Sequence, residues 1–487
     1  MPAYNYTGFS GLLNMGVGDF WKPANELSSC KNIQEDEVGV LKRVPWTSKA
    51  DSHQLNAGTV NVNFLSSYYQ NSTWTTYMIW GSGSWADYVL QYRTTWAWTA
   101  LTGGTYTSRL DAELSSVNYL DKLFIVWYDS VDSVFLPNAT ILWTTHSTSD
   151  ANLTSMPQAK YVVEYNDLLY TLNSYIDSTK YPSNAYYSND PVDNAITWNN
   201  TLNFLEFGQQ DWDEITWGAK SNDRLVVFKN NSMWTWDESN KKKIGNIGCD
   251  SYKSIQEVNS ILYWFNRNGI WRWDGAIPQL ISGKVQPFID AIDQSKLNKV
   301  VAVQNWLEYR MFIGTVVVRW VTYTNCWIVF DVRREKFYIR CTKTNALSAC
   351  EYVESNTWIK RSYFGSNTGY VYKFNQYIDW INSDDWDDID YFFVTNTIDL
   401  GAPEIEKLIG TVHFYTLNAN WLKYQIDSDK SGEFNEWVPG QIVWKNVYDN
   451  EVTATGHRFT FKFFNKDQWT PMEFEWLVLN SDLKEDK

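Results

Sequence analysis

Residues 222–237 read NDRLVVFKNNSMWTWD, and residues 259–274 read NSILYWFNRNGIWRWD. The two stretches align without gaps. Leu225 matches Leu262, Phe228 matches Phe265, and Trp234 and Trp236 match Trp271 and Trp273. Each holds an apolar run, a polar turn of Asn, Ser or Gly, and a second run with aromatic residues at alternate positions. Successive side chains of a strand point to opposite faces, so this pattern around a short polar turn predicts a β-hairpin.

Partial copies flank the pair. Residues 166–173, NDLLYTLN, repeat its first half, and residues 363–374, YFGSNTGYVYKF, repeat its second half. Residues 76–92 and 321–340 read as further hairpins, turning at 81–84 and 331–335, and residues 117–128 read as another strand. Units recurring at about 40–50 residues in an all-β chain predict propeller blades. One such unit cannot bury both of its faces alone, so each must pack on its neighbours. The Trp-Asp pairs at Trp236 and Trp273 lack a Gly-His partner, and no Ser-x-Asp-x-Gly-x-Thr-Trp box occurs. The propeller expectation therefore rests on period and pattern. Val285, Phe288, Ile289, Ile292 and Leu297 recur at helical spacing, which predicts one helix over 285–298 with Pro287 in its first turn. The expected organisation is an N-terminal extension or docking segment (1–50), a β-propeller (51–383) and a C-terminal β-sandwich-like domain (384–487).

The chain has 487 residues and a formal charge of −15, and 17% of its residues are aromatic, with 28 Trp and 31 Tyr. Its length allows a sizeable core. So much Trp and Tyr reads first as sheet core and subunit interface. The negative charge excludes tight, whole-surface binding to nucleic acid, but it suits a channel wall along which DNA slides. The five cysteines form no Cys-x-x-Cys pair and read as reduced, buried thiols, with Cys326 and Cys341 placed to face each other across a hairpin. Residues 1–10 have neither the basic region nor the apolar core of a secretion signal. The longest apolar runs, such as 123–128, are too short to span a bilayer, so no membrane insertion is expected.

Candidate chemistry is sparse. His53, His146, His413 and His457 lack the helical spacing of metal ligands. No Gly-x-Ser-x-Gly elbow is present. Asp427, Asp429, Ser431 and Gly432 mimic the start of a calcium loop, but its twelfth position is Val438 rather than glutamate, so a polar turn is expected. The acidic run at Asp384, Asp385, Asp387, Asp388 and Asp390 and the basic run Lys241, Lys242 and Lys243 read as solvated surface. Gly81-Ser82-Gly83 lacks the lysine and helix of a phosphate loop. No catalytic, cofactor-binding or metal-ligating residue is assigned, no cofactor is expected, and the chain is read as not an enzyme.

The most specific pattern is the opening, residues 9–46: FSGLLNMGVGDFWKPANELSSCKNIQEDEVGVLKRVPW. Phe9-Ser-Gly11-Leu-Leu-Asn14 is followed by Pro23-Ala-Asn-Glu26-Leu27, then by Cys30-Lys-Asn32, then by Gly39-Val-Leu41-Lys42-Arg43. This resembles the opening of bacteriophage tail β-propeller proteins, among them the tail nozzle, or packaged-DNA stabilisation, proteins of short-tailed phages. Leu12 departs from the second glycine common there. The resemblance implies a virion structural protein made in the host bacterial cytoplasm. It implies a ring homo-oligomer, a hexamer, below the head-to-tail adaptor proteins. Such a ring continues the DNA channel, retains packaged DNA, serves DNA ejection and carries tail fibres. Two other classes stay open. One is a carbohydrate-binding or glycan-cleaving propeller for host receptor recognition, with Trp96 and Trp98 as sugar platforms. The other is a monomeric scaffold for another protein.

Overall fold

The computed structural model describes the chain from Ala3 to Leu483, apart from residues 19–21, 36–38, 46, 51–60, 84–87, 94–97, 101–111, 130–133, 136–139, 143–147, 150–154, 193–194, 209–210, 355–357, 376–388, 401–402, 418–421, 431–446 and 468–471. The fold is all-β and consists of small sheets. Seven of them are antiparallel and succeed one another along the chain. Their first strands are Asn61–Gln70, Ala112–Tyr119, Gln158–Tyr165, Ile215–Ser221, Gln256–Val258, Val301–Asn305 and Ala346–Val353, and these sheets are numbered 1 to 7 below. The two aligned stretches occupy the same register, with Leu225 opposite Trp236 and Leu262 opposite Trp273.

Packing on both faces explains the continuous apolar runs within second strands such as Lys122–Asp129 and Arg224–Lys229. In Arg224–Lys229, Leu225 and Val227 pack with Val163 and Leu172 of sheet 3, while Val226 and Phe228 pack with Leu262 and Trp264 of sheet 5. Ile125 likewise faces Phe64 and Ile79 of sheet 1, and Phe124 and Val126 face Val162 and Leu169 of sheet 3. Tyr263 stacks on Tyr309 of sheet 6 with ring centroids 5.5 Å apart, and Trp327 of sheet 6 meets Phe364 and Phe374 of sheet 7 at 5.5 and 5.0 Å. Sheet 7 in turn packs Tyr363 and Val371 against Leu65 and Trp80 of sheet 1. Each of these large side chains contributes about 1.5–3 kcal/mol on leaving water. The outer strand of sheet 7 comes from the N-terminal region, with Thr47–Lys49 pairing antiparallel to Val371–Phe374.

Two further sheets combine both ends of the chain. In one, Glu473–Leu483 pairs with Lys407–Leu417 on one side and with Ala3–Thr7 and Leu41–Arg43 on the other. In the other, Glu26–Lys31 pairs with Ile389–Thr395, which pairs with Phe459–Asp467. Phenylalanines fill the space between them. Phe393 lies 4.8 Å from Phe463 and 5.1 Å from Phe474, and Phe9 sits 5.8 Å from both Phe393 and Phe474.

Three local expectations differ from the structure. The helix over 285–298 is broken into 3-10 turns at Ser282–Val285 and Gln294–Lys299 around the short helix Gln286–Asp290. Asp293 is extended and its carboxylate accepts from the Ser295 N–H, so it starts a new turn rather than continuing the old one. Residues 117–128 hold two strands, because Leu120 and Asp121 both adopt left-handed φ (47° and 60°) and reverse the chain. Gly81-Ser82-Gly83 stays in a strand, paired with Leu90, Val89 and Tyr88. The hairpin of Val321–Asp331 with Lys336–Cys341 turns where expected and sets Cys326 opposite Cys341.

Candidate functional site

The residues that carry the opening pattern are each tied into the fold by specific contacts. The buried Glu26 carboxylate accepts from Asn14 Nδ2 at 2.6 Å and from Lys284 Nζ at 2.8 Å. Asn32 sits at φ 57°, donates from Nδ2 to the Asp390 carbonyl, and accepts at Oδ1 from the Cys341 N–H at 2.7 Å. Gly39 has φ 85°, and a Cβ there would lie 2.9 Å from the Gly8 Cα, so only glycine fits this crossing. Arg43 is buried over the Tyr391 ring.

A polar cleft joins this segment to sheet 6, lined by Glu35, Glu308, Asp331, Arg334, Lys336 and Tyr338 among others. Its carboxylates are engaged. Glu35 pairs with Lys336 and accepts from the Gly39 N–H. Glu308 pairs with Arg310 at 2.6 Å and accepts from the Tyr338 hydroxyl at 2.7 Å. Burial pushes the Glu308 carboxyl up, but Arg310, Tyr338 and Arg340 outweigh it and hold it below the ordinary value. The cleft is an ion-pair clamp between two parts of the chain.

A second polar cluster lies where the first strands meet. The short turn Tyr252–Ser254, between sheets 4 and 5, reaches several of them at once. Lys253 Nζ donates to the Asn63 carbonyl of sheet 1 at 3.2 Å and to the Leu347 carbonyl of sheet 7 at 3.1 Å. Tyr252 donates to the Leu114 carbonyl of sheet 2 and stacks against Tyr161 of sheet 3 and Trp217 of sheet 4. Burial pulls the Lys253 ammonium down to about 8, against the attraction of Glu113. Burial raises the Glu113 carboxyl despite Lys160 and Lys253. With two hydrogen bonds from Lys253 to main-chain carbonyls, the cluster ties first strands of several sheets together.

A third feature is a row of turns between first and second strands. Tyr68, Tyr119 and Tyr165 donate to the carbonyls of Asp121, Asp167 and Asp223 in the corresponding turn of the next sheet, at 2.6, 2.5 and 3.1 Å. Ser362 Oγ, just past the sheet 7 turn, donates to Gln304 O and Asn305 Oδ1, just before the sheet 6 turn. Tyr352 donates to Thr76 O beside the sheet 1 turn. On sheets 6, 7 and 1 this row carries exposed Trp306, Trp358 and Trp74.

The residues nominated from sequence fall in separate places. Trp98 stacks on Trp80 at 4.3 Å with Arg93 over it, so it is packed rather than presented. Lys241, Lys242 and Lys243 are exposed, as expected, on the strand Lys241–Gly245, and Lys241 donates to the Glu206 carbonyl. Asp429 accepts from the His457 N–H at 2.8 Å and pairs with its ring, and Asp390 pairs with Lys31 at 2.7 Å. His413 lies within Lys407–Leu417. His53, His146, Trp96, residues 384–388, Ser431, Gly432 and Val438 lie outside the described residues. Among the described residues no group of three or more His, Cys, Asp or Glu is placed to hold a metal ion, and no helix is long and apolar enough to cross a membrane. The exposed Trp turns escaped notice in the sequence, although NSTW at 71–74 and SNTW at 355–358 are a legible pair. No protein-family model matches the chain, and the search of curated proteins finds no match.

Proposed function

We infer that this chain is a structural component of a phage tail: a nozzle ring, six copies around an axis, below the head-to-tail adaptor. In that role it continues the DNA channel, retains packaged DNA and supports tail fibres, with no catalytic task. Its seven successive sheets are read as a seven-bladed β-propeller fastened by Thr47–Lys49, carrying a sandwich made from both chain ends. The observation that carries this reading is that Asn14, Glu26, Asn32 and Gly39, the residues of the nozzle-like opening, each make a specific structural contact: Asn14 with Glu26, Asn32 with Cys341, and Gly39 against Gly8.

Two further features support it. Lys253 and Tyr252 bridge first strands of several sheets, innermost in this reading, so DNA would run between copies and not through one chain's centre. The formal charge of −15 favours a wall that repels the DNA backbone and lets it slide. The test is the mass of the purified 56.9 kDa chain by light scattering, alone and with co-expressed neighbours. Six copies, alone or on an adaptor, are expected. A chain that stays monomeric under every condition overturns the reading.

A further inference from the structure

The row of turns on sheets 6, 7 and 1 has an unusual makeup. Trp306, Trp358 and Trp74 are 65%, 62% and 69% exposed, although Trp80, Trp264, Trp273 and Trp327 of the same chain are fully buried. All three rim tryptophans adopt left-handed backbone, with φ of 56°, 56° and 54°. A bulky aromatic residue is disfavoured there. Neither burial nor backbone preference explains a tryptophan at the same place on three successive sheets.

The hydrogen bonds of Ser362 to Gln304 and Asn305, and of Tyr352 to Thr76, hold the three turns side by side. Polar residues precede each ring in the chain: Gln304 and Asn305 before Trp306, Glu354 ahead of Trp358, and Asn71, Ser72 and Thr73 before Trp74. The nearby charges are already matched. Glu308 pairs with Arg310, Glu351 with Lys360 and Glu354 with Arg361. Asp121 accepts from the main-chain N–H groups of Asn71 and Ser72. Together these groups leave one negative charge, at Asp121, and nothing that attracts a polyanion. The surface offers exposed indoles on neighbouring turns, beside amides and hydroxyls.

We propose that Trp306, Trp358 and Trp74 form a binding site for a neutral polysaccharide. The faces of its sugar rings lie on the indoles, and its hydroxyls meet the neighbouring amide and hydroxyl groups. The proposal is independent of ring assembly and names different residues from the Trp96 and Trp98 expected from sequence. Trp212 and Trp320 are 99% and 98% exposed but lie off this row, one ahead of Ile215–Ser221 and the other at the tip of the hairpin of Glu308–Val318 with Val321–Asp331.

Trp212 and Trp320 therefore provide the control. The full chain is run in native gels containing dextran, a galactomannan or a soluble β-glucan, with dextran sulfate as the anionic comparison. At least one neutral polymer should retard the chain, and dextran sulfate should not. Trp74→Asn, Trp306→Asn and Trp358→Asn should each weaken retardation about fivefold or more, and the triple variant should migrate as if no polymer were present. Asparagine suits left-handed backbone, so these variants keep the turn. The double variant Trp212→Asn/Trp320→Asn should bind as the parent does. Absence of retardation by every neutral polymer, or equal loss in the off-row double variant, overturns the proposal. So does a rim variant that leaves retardation intact but changes the particle mass in light scattering, which marks a protein-docking surface instead.

Discussion

The Tyr119 hydroxyl donates to the main-chain carbonyl of Asp167 at 2.5 Å, joining the end of one sheet's first strand to the first turn of the next. Tyr68 with Asp121 and Tyr165 with Asp223 repeat the bond, so three successive sheet interfaces carry the same clip. Tyr119→Phe and Tyr165→Phe keep the ring and remove only the donor. Each should cost about 1 kcal/mol. Urea unfolding checks this, and an unchanged midpoint in both variants would show that the clips add nothing to stability.

Gly365 closes the packing of sheet 7 on sheet 1. A Cβ there would lie 2.5 Å from Val62 Cγ1 and 2.6 Å from the Val62 carbonyl oxygen, and the backbone atom cannot simply rotate away. Gly365→Ala should therefore destabilise by about 1–3 kcal/mol. Gly410→Ala, where nothing lies within 4 Å, should be neutral or slightly stabilising. Thermal melts of the two variants should separate clearly, and equal melting points would refute the close approach of the two sheets.

Lys253 predicts a pH signature. Its ammonium is pulled down to about 8 by burial, whereas the unfolded side chain titrates near 10.4. Between these values the unfolded chain binds more protons, so this residue's contribution to stability rises with pH through that window. Lys253→Met removes the contribution and leaves the Asn63 and Leu347 carbonyls without their donor. The variant should be less stable by about 1–3 kcal/mol, and its deficit should widen from pH 8 to pH 10. A deficit that is constant across this range would contradict a lowered lysine.

The rim tryptophans should be costly to the fold. Placing asparagine at φ 54–56° relieves a bulky residue in left-handed backbone. Trp74→Asn or Trp306→Asn should thus raise stability by about 0.5–1 kcal/mol. A lowered melting temperature for both would mean that the rings pack on the folded chain after all.

The thiols give a simple chemical check. Burial pushes the Cys30 and Cys249 thiols up to about 12 and raises Cys326 and Cys350 as well. At pH 8 the native chain should resist iodoacetamide, because the thiolate is the nucleophile. All five cysteines should label once urea unfolds it, with mass spectrometry as the readout.

Much of the local structure was legible in the sequence. The hairpins at 222–237 and 259–274 lie where alternation and polar turns put them, because strand periodicity and turn preference are properties of neighbouring residues. The turn at Leu120 and Asp121 was hidden because no Gly or Asn marks its first position, and the 285–298 helix failed because Asp293 caps its own turn. Trp98 and Trp306 show the same limit for the surface. Both sit in aromatic, Thr- or Asn-rich contexts, yet one stacks on Trp80 and the other faces solvent.

By itself, then, the sequence determined an all-β chain of aromatic hairpins, since period-two burial is written residue by residue. Only the tertiary structure decided that Thr47–Lys49 pairs with Val371–Phe374, that Ala3–Thr7 pairs with Glu473–Leu483, and that Trp306, Trp358 and Trp74 share one row. Those partners are distant in the chain and carry no mutual signal. They meet because complementary faces and unpaired strand edges find each other when the whole core is buried.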